Sequence, residues 1–352
     1  HPGAQRRRLA HRAPLGGDRM TYFVLKYDMR APQPGAPIEA LYGAALEQIA
    51  WADRNGFGTL MLAEHHGNDD GYLPAPLMLA AAAAARTERM RIRVQALILP
   101  LHDPIRVAED LAILDLISRG RAEVTVAGGY LASEFRMFGV ALKDRGRLVE
   151  EGIEAMKKAW SGERFVFRGR EVHVTPRPLQ RPHPPIILGG ASEAAARRAA
   201  RIACGFNPAM PELHAVYRAE CDRLGKAPGR EERMGPVFLH LAEDPDRAWA
   251  RIAPHALHET NSYGRWMAES MGEKAVYRES TDAAQLRASG AYAIVTPGEC
   301  LQIARDLGPG GRLAFHPLMG GMDPQLGWES LELLRTRVMP HLEVEPPLLP
   351  GP

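Results

Sequence analysis

Short apolar runs alternate with longer amphipathic segments along most of the chain. The short runs are rich in apolar and β-branched residues, as buried strands are, whereas the longer segments repeat apolar residues every three or four positions, as helices do. Two of the helical segments close at Gly56 and Gly120, a common helix end. The pattern predicts seven strands, in the runs TYFVLKY, TLMLA, MRIRVQALILP, RAEVTVAGG, PPIILGG, MGPVFLHLA and GRLAFHPL.

Seven or eight successive strand–helix units favour a parallel sheet with helical crossovers. An open doubly wound sheet usually has a glycine-rich phosphate loop after its first strand, and here that strand runs into KYDMRAPQPG instead. We therefore predict an α/β fold, a (β/α)8 TIM barrel with insertions at the carboxyl-terminal rim of the strands. The segment FVFRGREVHVTPRPLQ predicts a small hairpin, and Glu259–Gly290, whose periodicity is weak, predicts a mobile insertion at the rim.

The length of 352 residues is compatible with one barrel domain, predicted at residues 20–345. Residues 1–19 hold five arginines and one aspartate and have no apolar run of signal-peptide length. We expect them to be a disordered extension or a remnant of cloning. Residues 346–352 are expected to be a tail.

The composition is that of an ordinary soluble globular protein, with 45% apolar and 24% charged residues. A net charge of +2 gives no indication of nucleic acid or membrane as a partner. No window of 18 apolar residues predicts a membrane span. Cys204, Cys221 and Cys300 are widely spaced, which favours a reducing compartment and predicts a cytoplasmic protein.

Candidate chemistry is expected where strands end, because functional residues of such barrels collect at the carboxyl ends of the strands. The sequences there are AEHHG, VQALILP, AGGYLASEF, LGGAS and HPLMGG. Three of them contain paired glycines, which let the backbone approach a planar ring or a phosphate. The walls of a substrate pocket are expected from Met29–Pro37, Asn68–Leu73 and Thr260–Met271.

The cluster Glu64, His65 and His66 raises the question of a metal site. Adjacent residues leaving a strand point to opposite faces, so the two histidines can hardly bind one ion together. We predict no metal. A histidine that transfers protons near neutral pH and a hydrogen-bonded histidine at the rim both remain possible from these residues alone. No metal-binding spacing joins the cluster to His102, His240 or His316.

Seven landmarks follow one another in the order found in a single enzyme family. They are GFGTLMLAEHHG, LILPLHDPIRVAEDLAILDLISRGR, GGYLASEFRMFG, DRGRLVEEGIEAMKKAW, PPIILGGAS, VTPGECLQIARDL and RVMPHLE. From about Thr21 to Glu343 the chain resembles the bacterial luciferase-like flavin monooxygenases. That family has a (β/α)8 fold and uses reduced FMN or the related deazaflavin coenzyme.

The resemblance implies roles for residues at three strand ends. His65 falls on the family's active-site histidine beside the flavin ring and the substrate. Gln95 and Ala96 fall on a non-prolyl cis peptide beneath the flavin. Gly129 and Tyr130 lie where a backbone amide or an aromatic ring borders the cofactor.

The resemblance also implies where the flavin phosphate binds. Arg147 would contact it together with the helix start formed by Gly189, Gly190, Ala191 and Ser192, because a helix N-terminus favours an anion. Without the resemblance, Ser192 would be assigned as a helix cap.

Two further positions of this region allow more than one interpretation. Arg147 alone would be assigned to a surface ion pair with Glu150 or Glu151. Luciferase has an arginine where this chain has Gly128, so phosphate binding is expected to depend more on Arg147 and on the backbone. Glu134 is equally compatible with a function at the rim and with helix capping.

The function implied is a flavin-dependent monooxygenase. Non-covalently bound reduced FMN, supplied by a separate reductase, would react with O2, and His65 would assist proton transfer as a small aldehyde, ketone or hydrocarbon is oxygenated. The alternatives are a deazaflavin-dependent dehydrogenase or reductase and a non-catalytic flavin-binding subunit. A homodimer is expected, packed through the helices near Ala75–Arg86 and Ile105–Ile117.

Overall fold

The computed structural model describes residues 21–271 and 278–344, so the predicted extension at residues 1–19 and the tail at residues 346–352 lie outside it. Strands and helices alternate along the described chain. The strands are β1 (Tyr22–Tyr27), β2 (Thr59–Leu62), β3 (Arg91–Ile98), β4 (Ala122–Ala127), β5 (Phe165–Phe167), β6 (Arg170–Val172), β7 (Ile186–Gly190), β8 (Gly205–Pro208), β9 (Arg233–Met234), β10 (Phe238–Leu241), β11 (Tyr292–Val295) and β12 (Gly311–Phe315). The helices are α1 (Ile38–Arg54), α2 (Pro76–Arg86), α3 (Pro104–Ile117), α4 (Ala132–Met137), α5 (Arg145–Ser161), α6 (Glu193–Ile202), α7 (Leu213–Arg223), α8 (Pro245–Met271), α9 (Ala283–Ala288), α10 (Pro297–Leu307) and α11 (Pro324–Leu333).

The main sheet is parallel, as predicted. Its hydrogen-bonded order is β11, β10, β12, β1, β2, β3, β4, β7, β8, and the short β9 pairs with β12. All four residues of β2 and all five of β12 are buried, since helices cover the sheet. The predicted hairpin is also present, as the antiparallel pair of β5 and β6.

The alanine run of α2 lets this helix lie close to the sheet. Ala80 and Ala83 are fully buried, and they belong to the same apolar core as Leu62 and Val94 of the neighbouring strands. Small side chains on the inner face of a helix shorten its distance to the strands. The alanine run therefore serves the packing of α2 against the sheet.

Two short strands escaped the sequence pattern. β8 has the sequence GFNP, in which glycine, asparagine and proline replace the β-branched residues that indicate a strand. β11 has the sequence YAIV and is only four residues long, too short to show a period.

The segment Glu259–Gly290, predicted as a mobile insertion, contains helical structure that its weak periodicity did not indicate, and its residues 272–277 lie outside the described chain. Its mobility stays a prediction. α8 continues without interruption as far as Met271, and α9 lies further along. The periodicity was weak because the inner face of α8 changes from apolar to polar along its length. Ile252 is buried there, but so are Glu259 and Ser262. Among the described helices, none is long and apolar enough to cross a membrane.

Candidate active site at the carboxyl ends of the strands

His65 lies just beyond β2 and is buried. Its Nδ1 is 2.8 Å from Oε1 of Glu134 on α4. The same oxygen accepts the backbone amide of His66 at 2.8 Å, so it acts as an acceptor and Nδ1 of His65 donates to it. This hydrogen bond leaves Nε2 of His65 as the nitrogen available for proton transfer.

His66 has a separate set of partners. Its Nε2 is 2.9 Å from Oε1 of Glu64, and its ring centroid is 4.7 Å from that of Phe138. The same Glu64 oxygen is 2.6 Å from Nε2 of His102. The two adjacent histidines therefore point into different environments, as the alternation along a strand predicts.

Glu64 connects the end of β2 to the end of β3. Its Oε2 accepts the backbone amide of Ile98 at 2.6 Å. Burial alone would raise the pKa of Glu64, but hydrogen bonds from His102 and His66 outweigh this effect and lower the pKa to about 2. Glu64 is thus a carboxylate near neutral pH, and both imidazoles donate to it.

Two sets of described side chains bring three possible metal ligands within 4.8 Å of one another. They are Glu64, His66 and His102 in the first set, and Asp28, Glu259 and His316 in the second. In the first set, both imidazoles already donate hydrogen bonds to the carboxylate. In the second set, a buried guanidinium lies beside one carboxylate, which already places a positive charge there. The absence of a metal stays a prediction.

The end of β3 has the backbone feature that the resemblance implied. The peptide Gln95–Ala96 is cis, and β3 shifts its register against β4 at the same point. Two residues beyond β4, Gly129 has a φ of +69°. A Cβ at this position would lie 2.7 Å from Cγ2 of Ile98, so only glycine fits.

Two arginines at the start of α5 have different environments. Arg147 is exposed and donates to Glu151 at 2.8 Å, and it also lies 3.5 Å from Asp144. This is the surface ion pair that was the alternative to phosphate binding for Arg147. The side-chain carbons of Arg145 lie 3.7 Å from where a Cβ of Gly128 would be. No ion pair connects Arg145 to another described residue, so its guanidinium is available beside Gly128.

The turn between β7 and α6 is open to solvent. Gly189 and Gly190 end the strand, Ala191 and Ser192 are exposed, and the Ser192 hydroxyl accepts the amide of Ala195 at 3.3 Å. Ser192 is therefore the helix cap that its residue type indicates. Within residues 21–271 and 278–344, no hydrogen bond or ion pair joins this turn to Arg147.

Four aromatic rings surround His65. The ring centroids of Trp266 and Tyr72 lie 4.7 and 4.8 Å from that of His65. Those of Tyr130 and Tyr263 lie 5.7 and 6.3 Å away. Two of the segments expected to form pocket walls therefore place rings against His65, although Tyr263 and Trp266 belong to the helix α8 and not to a loop.

The sequence did not assign a definite role to three important residues. Glu134 had two possible roles, and its contact with His65 became visible only in the fold. Asp28 and Arg30 follow the first strand in KYDMR but were not singled out, although Arg30 lies inside the predicted wall segment Met29–Pro37. The available signal was an acid and a base two positions apart directly after a buried strand.

Comparison with known proteins identifies the family. The family model for luciferase-like monooxygenases matches residues 22–303. The FMNH(2)-dependent dimethylsulfone monooxygenase of Pseudomonas putida is 32% identical over 219 residues, which are 58% of this chain and 59% of that protein. The chain belongs to the luciferase-like monooxygenase family and is an oxidoreductase.

Two solved structures have the same fold as this chain. The monooxygenase RslO1 from Streptomyces bottropensis aligns with a TM-score of 0.76 and 25% identity, over 91% of this chain and 99% of that one. The oxygenating constituent of 3,6-diketocamphane monooxygenase from Pseudomonas putida, in complex with FMN, aligns with a TM-score of 0.70 and 20% identity, over 94% and 100% of the two chains. The predicted barrel architecture is confirmed by these structures.

Proposed function

We propose that this protein is a flavin-dependent monooxygenase that uses reduced FMN and O2 to oxygenate a small organic substrate. The observation that carries the proposal is the hydrogen bond between His65 and Glu134, inside an aromatic wall at the carboxyl ends of the strands. The named dependence of the Pseudomonas putida relative on FMNH(2) supports the choice of cofactor.

The residues present fit a flavin. Gly129 has a backbone conformation and surroundings that exclude a side chain, so a planar ring could approach the backbone there. The turn Gly189–Ser192 precedes α6, whose amino terminus favours the phosphate group of the flavin. Arg145 and Arg147 lie at the start of α5 and would add positive charge.

Each part of the site has a chemical task in this proposal. Reduced FMN, when bound, supplies the electrons for the activation of O2. His65 holds a proton on Nδ1 against Glu134, and its Nε2 gives or takes a proton at the substrate. The surrounding rings of Tyr72 and Trp266 exclude water from that nitrogen.

The test is a comparison of two cofactors. Purified protein is mixed anaerobically with reduced FMN or with reduced deazaflavin, and the retained cofactor is measured after gel filtration. We expect retention of FMN, followed by O2 consumption and an oxygenated product when a substrate is supplied. Retention of deazaflavin with hydride transfer and no O2 consumption would instead establish a dehydrogenase. Flavin retention without turnover of any substrate would indicate a binding subunit.

The proposal also covers the source of reduced flavin, the cellular location and the oligomeric state. A separate reductase supplies the reduced flavin, because the sequence has no nicotinamide-binding fingerprint. The protein is cytoplasmic, in line with three unpaired cysteines. It forms a homodimer through α2 and α3, which pack side by side and expose an apolar patch to solvent. The patch consists of Met78, Ile113, Leu116 and Ile117.

A further inference from the structure

A group of buried polar atoms beside the aromatic wall has no hydrogen-bond partner among the described residues. The group comprises Nε, Nη1 and Nη2 of Arg30, Oδ2 of Asp28 and Nε2 of His316. Arg30 is fully buried, and Asp28 and His316 are 1% and 2% exposed. Buried polar groups are almost always hydrogen-bonded, and an unpaired one is costly. Several of these atoms do lie in ion pairs: Nε of Arg30 with Oδ2 of Asp28, and Nε2 of His316 with Oδ1 of Asp28 at 3.4 Å. Nη2 of Arg30 has no such partner among the described residues, and it is the atom that a ligand or solvent would complete.

The backbone holds this group in a strained conformation. Met29, between Asp28 and Arg30, has a φ of +59°, which a residue with a side chain rarely adopts. The turn brings the amide of Arg30 to 3.2 Å from Oδ1 of Asp28 and places Nε of Arg30 3.2 Å from Oδ2. Strain of this kind persists where surrounding structure enforces it, and it collects at functional sites.

The guanidinium of Arg30 shares its aromatic neighbours with His65. Its central carbon lies 4.6 Å from the ring centroid of Tyr72, 4.7 Å from that of Tyr263 and 5.0 Å from that of Trp266. Tyr72 and Trp266 also pack against the His65 ring. Tyr263 and Trp266 are partly exposed, so a small molecule that packs against these rings lies close to both Arg30 and His65.

The charges around Arg30 select the kind of ligand. Asp28 lies against its Nε, and Oδ2 of Asp70 lies 3.7 Å from its Nη1. Burial would raise the pKa of Asp28, yet the charges of His316 and Arg30 hold it below its ordinary value, so Asp28 is ionised. Glu259 adds a third buried carboxylate 4.0 Å from His316. These carboxylates would repel an anionic ligand, whereas a neutral oxygen acceptor carries no charge for them to repel and can accept from Nη2 of Arg30.

We propose that Arg30 binds the carbonyl or sulfonyl oxygen of a neutral, largely apolar substrate and thereby orients it towards His65. The inference rests on the proposed function, because it takes the aromatic wall to be the substrate site. Arg30 thus determines which substrates bind: the aromatic rings contact the apolar body, and the unpaired N–H groups of the guanidinium contact the oxygen. The substrate class is that of neutral ketones, lactones, amides and sulfones.

The test uses three six-membered rings that differ in one group. Cyclohexanone carries the oxygen acceptor, methylenecyclohexane has the same shape without it, and cyclohexanecarboxylate is an anion. Dissociation constants are measured by ligand-observed NMR on the full chain, with and without FMN. We expect cyclohexanone to bind at least about tenfold more tightly than methylenecyclohexane, the ratio typical of a hydrogen bond from a charged donor. In Arg30→Met this ratio should approach one, and Arg30→Lys should give an intermediate value.

Several results would overturn the proposal. They are an unchanged ratio in Arg30→Met, equal binding of ketone and hydrocarbon to the wild type, tighter binding of the carboxylate, and no binding of any of the three rings. Flavin retention measured on the same samples tests the proposed function separately. Arg121→Lys is the matched control, because Arg121 is also a buried arginine but lies at the amino end of β4.

A second measurement covers the case in which Arg30→Met fails to fold. Cyclohexanone labelled with 13C at its carbonyl is bound to the wild-type protein, and its C=O stretching frequency is recorded by infrared difference spectroscopy. A hydrogen bond from the guanidinium lowers this frequency below the value in hexane. A frequency equal to that in hexane would exclude the contact.

Discussion

His65 and Glu134 are 69 positions apart in the chain and share a 2.8 Å hydrogen bond at the mouth of the barrel. The carboxylate therefore orients the imidazole and determines which nitrogen carries the proton. Replacing Glu134 by glutamine keeps the shape but lets an amide N–H face Nδ1. We expect Glu134→Gln to lower turnover roughly 10- to 100-fold, in the range seen when a carboxylate that orients a histidine is removed.

Turnover with supplied reduced FMN checks this expectation, and flavin binding serves as the control. Glu134→Asp is the matched variant, because it retains the carboxylate on a shorter side chain. Partial activity in Glu134→Asp together with a large loss in Glu134→Gln would support orientation by charge. Equal activities in both variants and the wild type would remove Glu134 from the mechanism.

The two neighbouring histidines should respond differently to replacement by alanine. His65→Ala should reduce turnover by roughly 10²- to 10⁴-fold, because it removes the group that transfers protons. It should also lower stability, because it removes a hydrogen bond to the buried Glu134 carboxylate. His66→Ala should cost about 1.5–3 kcal/mol of unfolding free energy, because it removes a hydrogen bond to the buried Glu64 carboxylate. Denaturant unfolding and turnover, measured on both variants, separate the two roles. The assignment is reversed if only His66→Ala abolishes turnover.

Glu64 should make the stability of the folded protein depend on pH. Its pKa in the folded protein is about 2, below the ordinary value of 4.5. The stabilisation is therefore complete above pH 4.5 and is lost as the pH falls from there towards 2, by about 3 kcal/mol. Glu64→Gln should show a smaller loss of stability than the wild type across this interval. Urea unfolding at several pH values measures it, with the exposed Glu39→Gln as the control.

Arg145 and Arg147 should differ in their contribution to flavin binding. Arg145 lies beside Gly128 without an ion pair among the described residues, whereas Arg147 is paired with Glu151 and Asp144. We expect Arg145→Ala to weaken FMN binding by about 1.5–3 kcal/mol and Arg147→Ala to weaken it less. Fluorescence titration gives both dissociation constants, and a larger effect of Arg147→Ala would support the assignment made from the resemblance.

A charge in the apolar patch of α2 and α3 should separate the proposed dimer. Ile117 is 44% exposed and lies near the end of α3. Ile117→Arg would bury a charge at the interface and should yield monomers in light scattering after gel filtration. Val166→Arg, on the exposed hairpin strand β5, is the control and should leave the mass unchanged. A monomeric wild type would contradict the prediction at once.

The sequence predicted features that depend on neighbours in the chain and missed those that depend on distant ones. His65 was recognisable because it follows a buried strand in a characteristic motif, and the cis peptide at Gln95–Ala96 lay where the resemblance implied it. Glu134 was not assigned, because its partner is far away in sequence. Arg30 was missed for the same reason, since its three aromatic neighbours come from two other segments.

The helix α8 shows why hydrophobic periodicity does not reveal every helix. Hydrophobic periodicity identifies a helix that packs an apolar face against a core. Beyond Ile252 the inner face of α8 carries Glu259, Thr260 and Ser262, which turn towards polar neighbours. A helix that covers an active site loses the signal by which helices are found.

The same helix has a consequence for how this enzyme can evolve. The residues expected to contact the flavin lie between Gln95 and Ser192, whereas Tyr263 and Trp266 are carried by α8, outside that stretch. Substitutions along one face of α8 can therefore change the rings that pack around His65 and leave the residues between Gln95 and Ser192 unchanged. A library of variants confined to Glu259–Trp266 would change which substrates bind while the residues expected to hold the flavin stay the same. Natural divergence can take the same route.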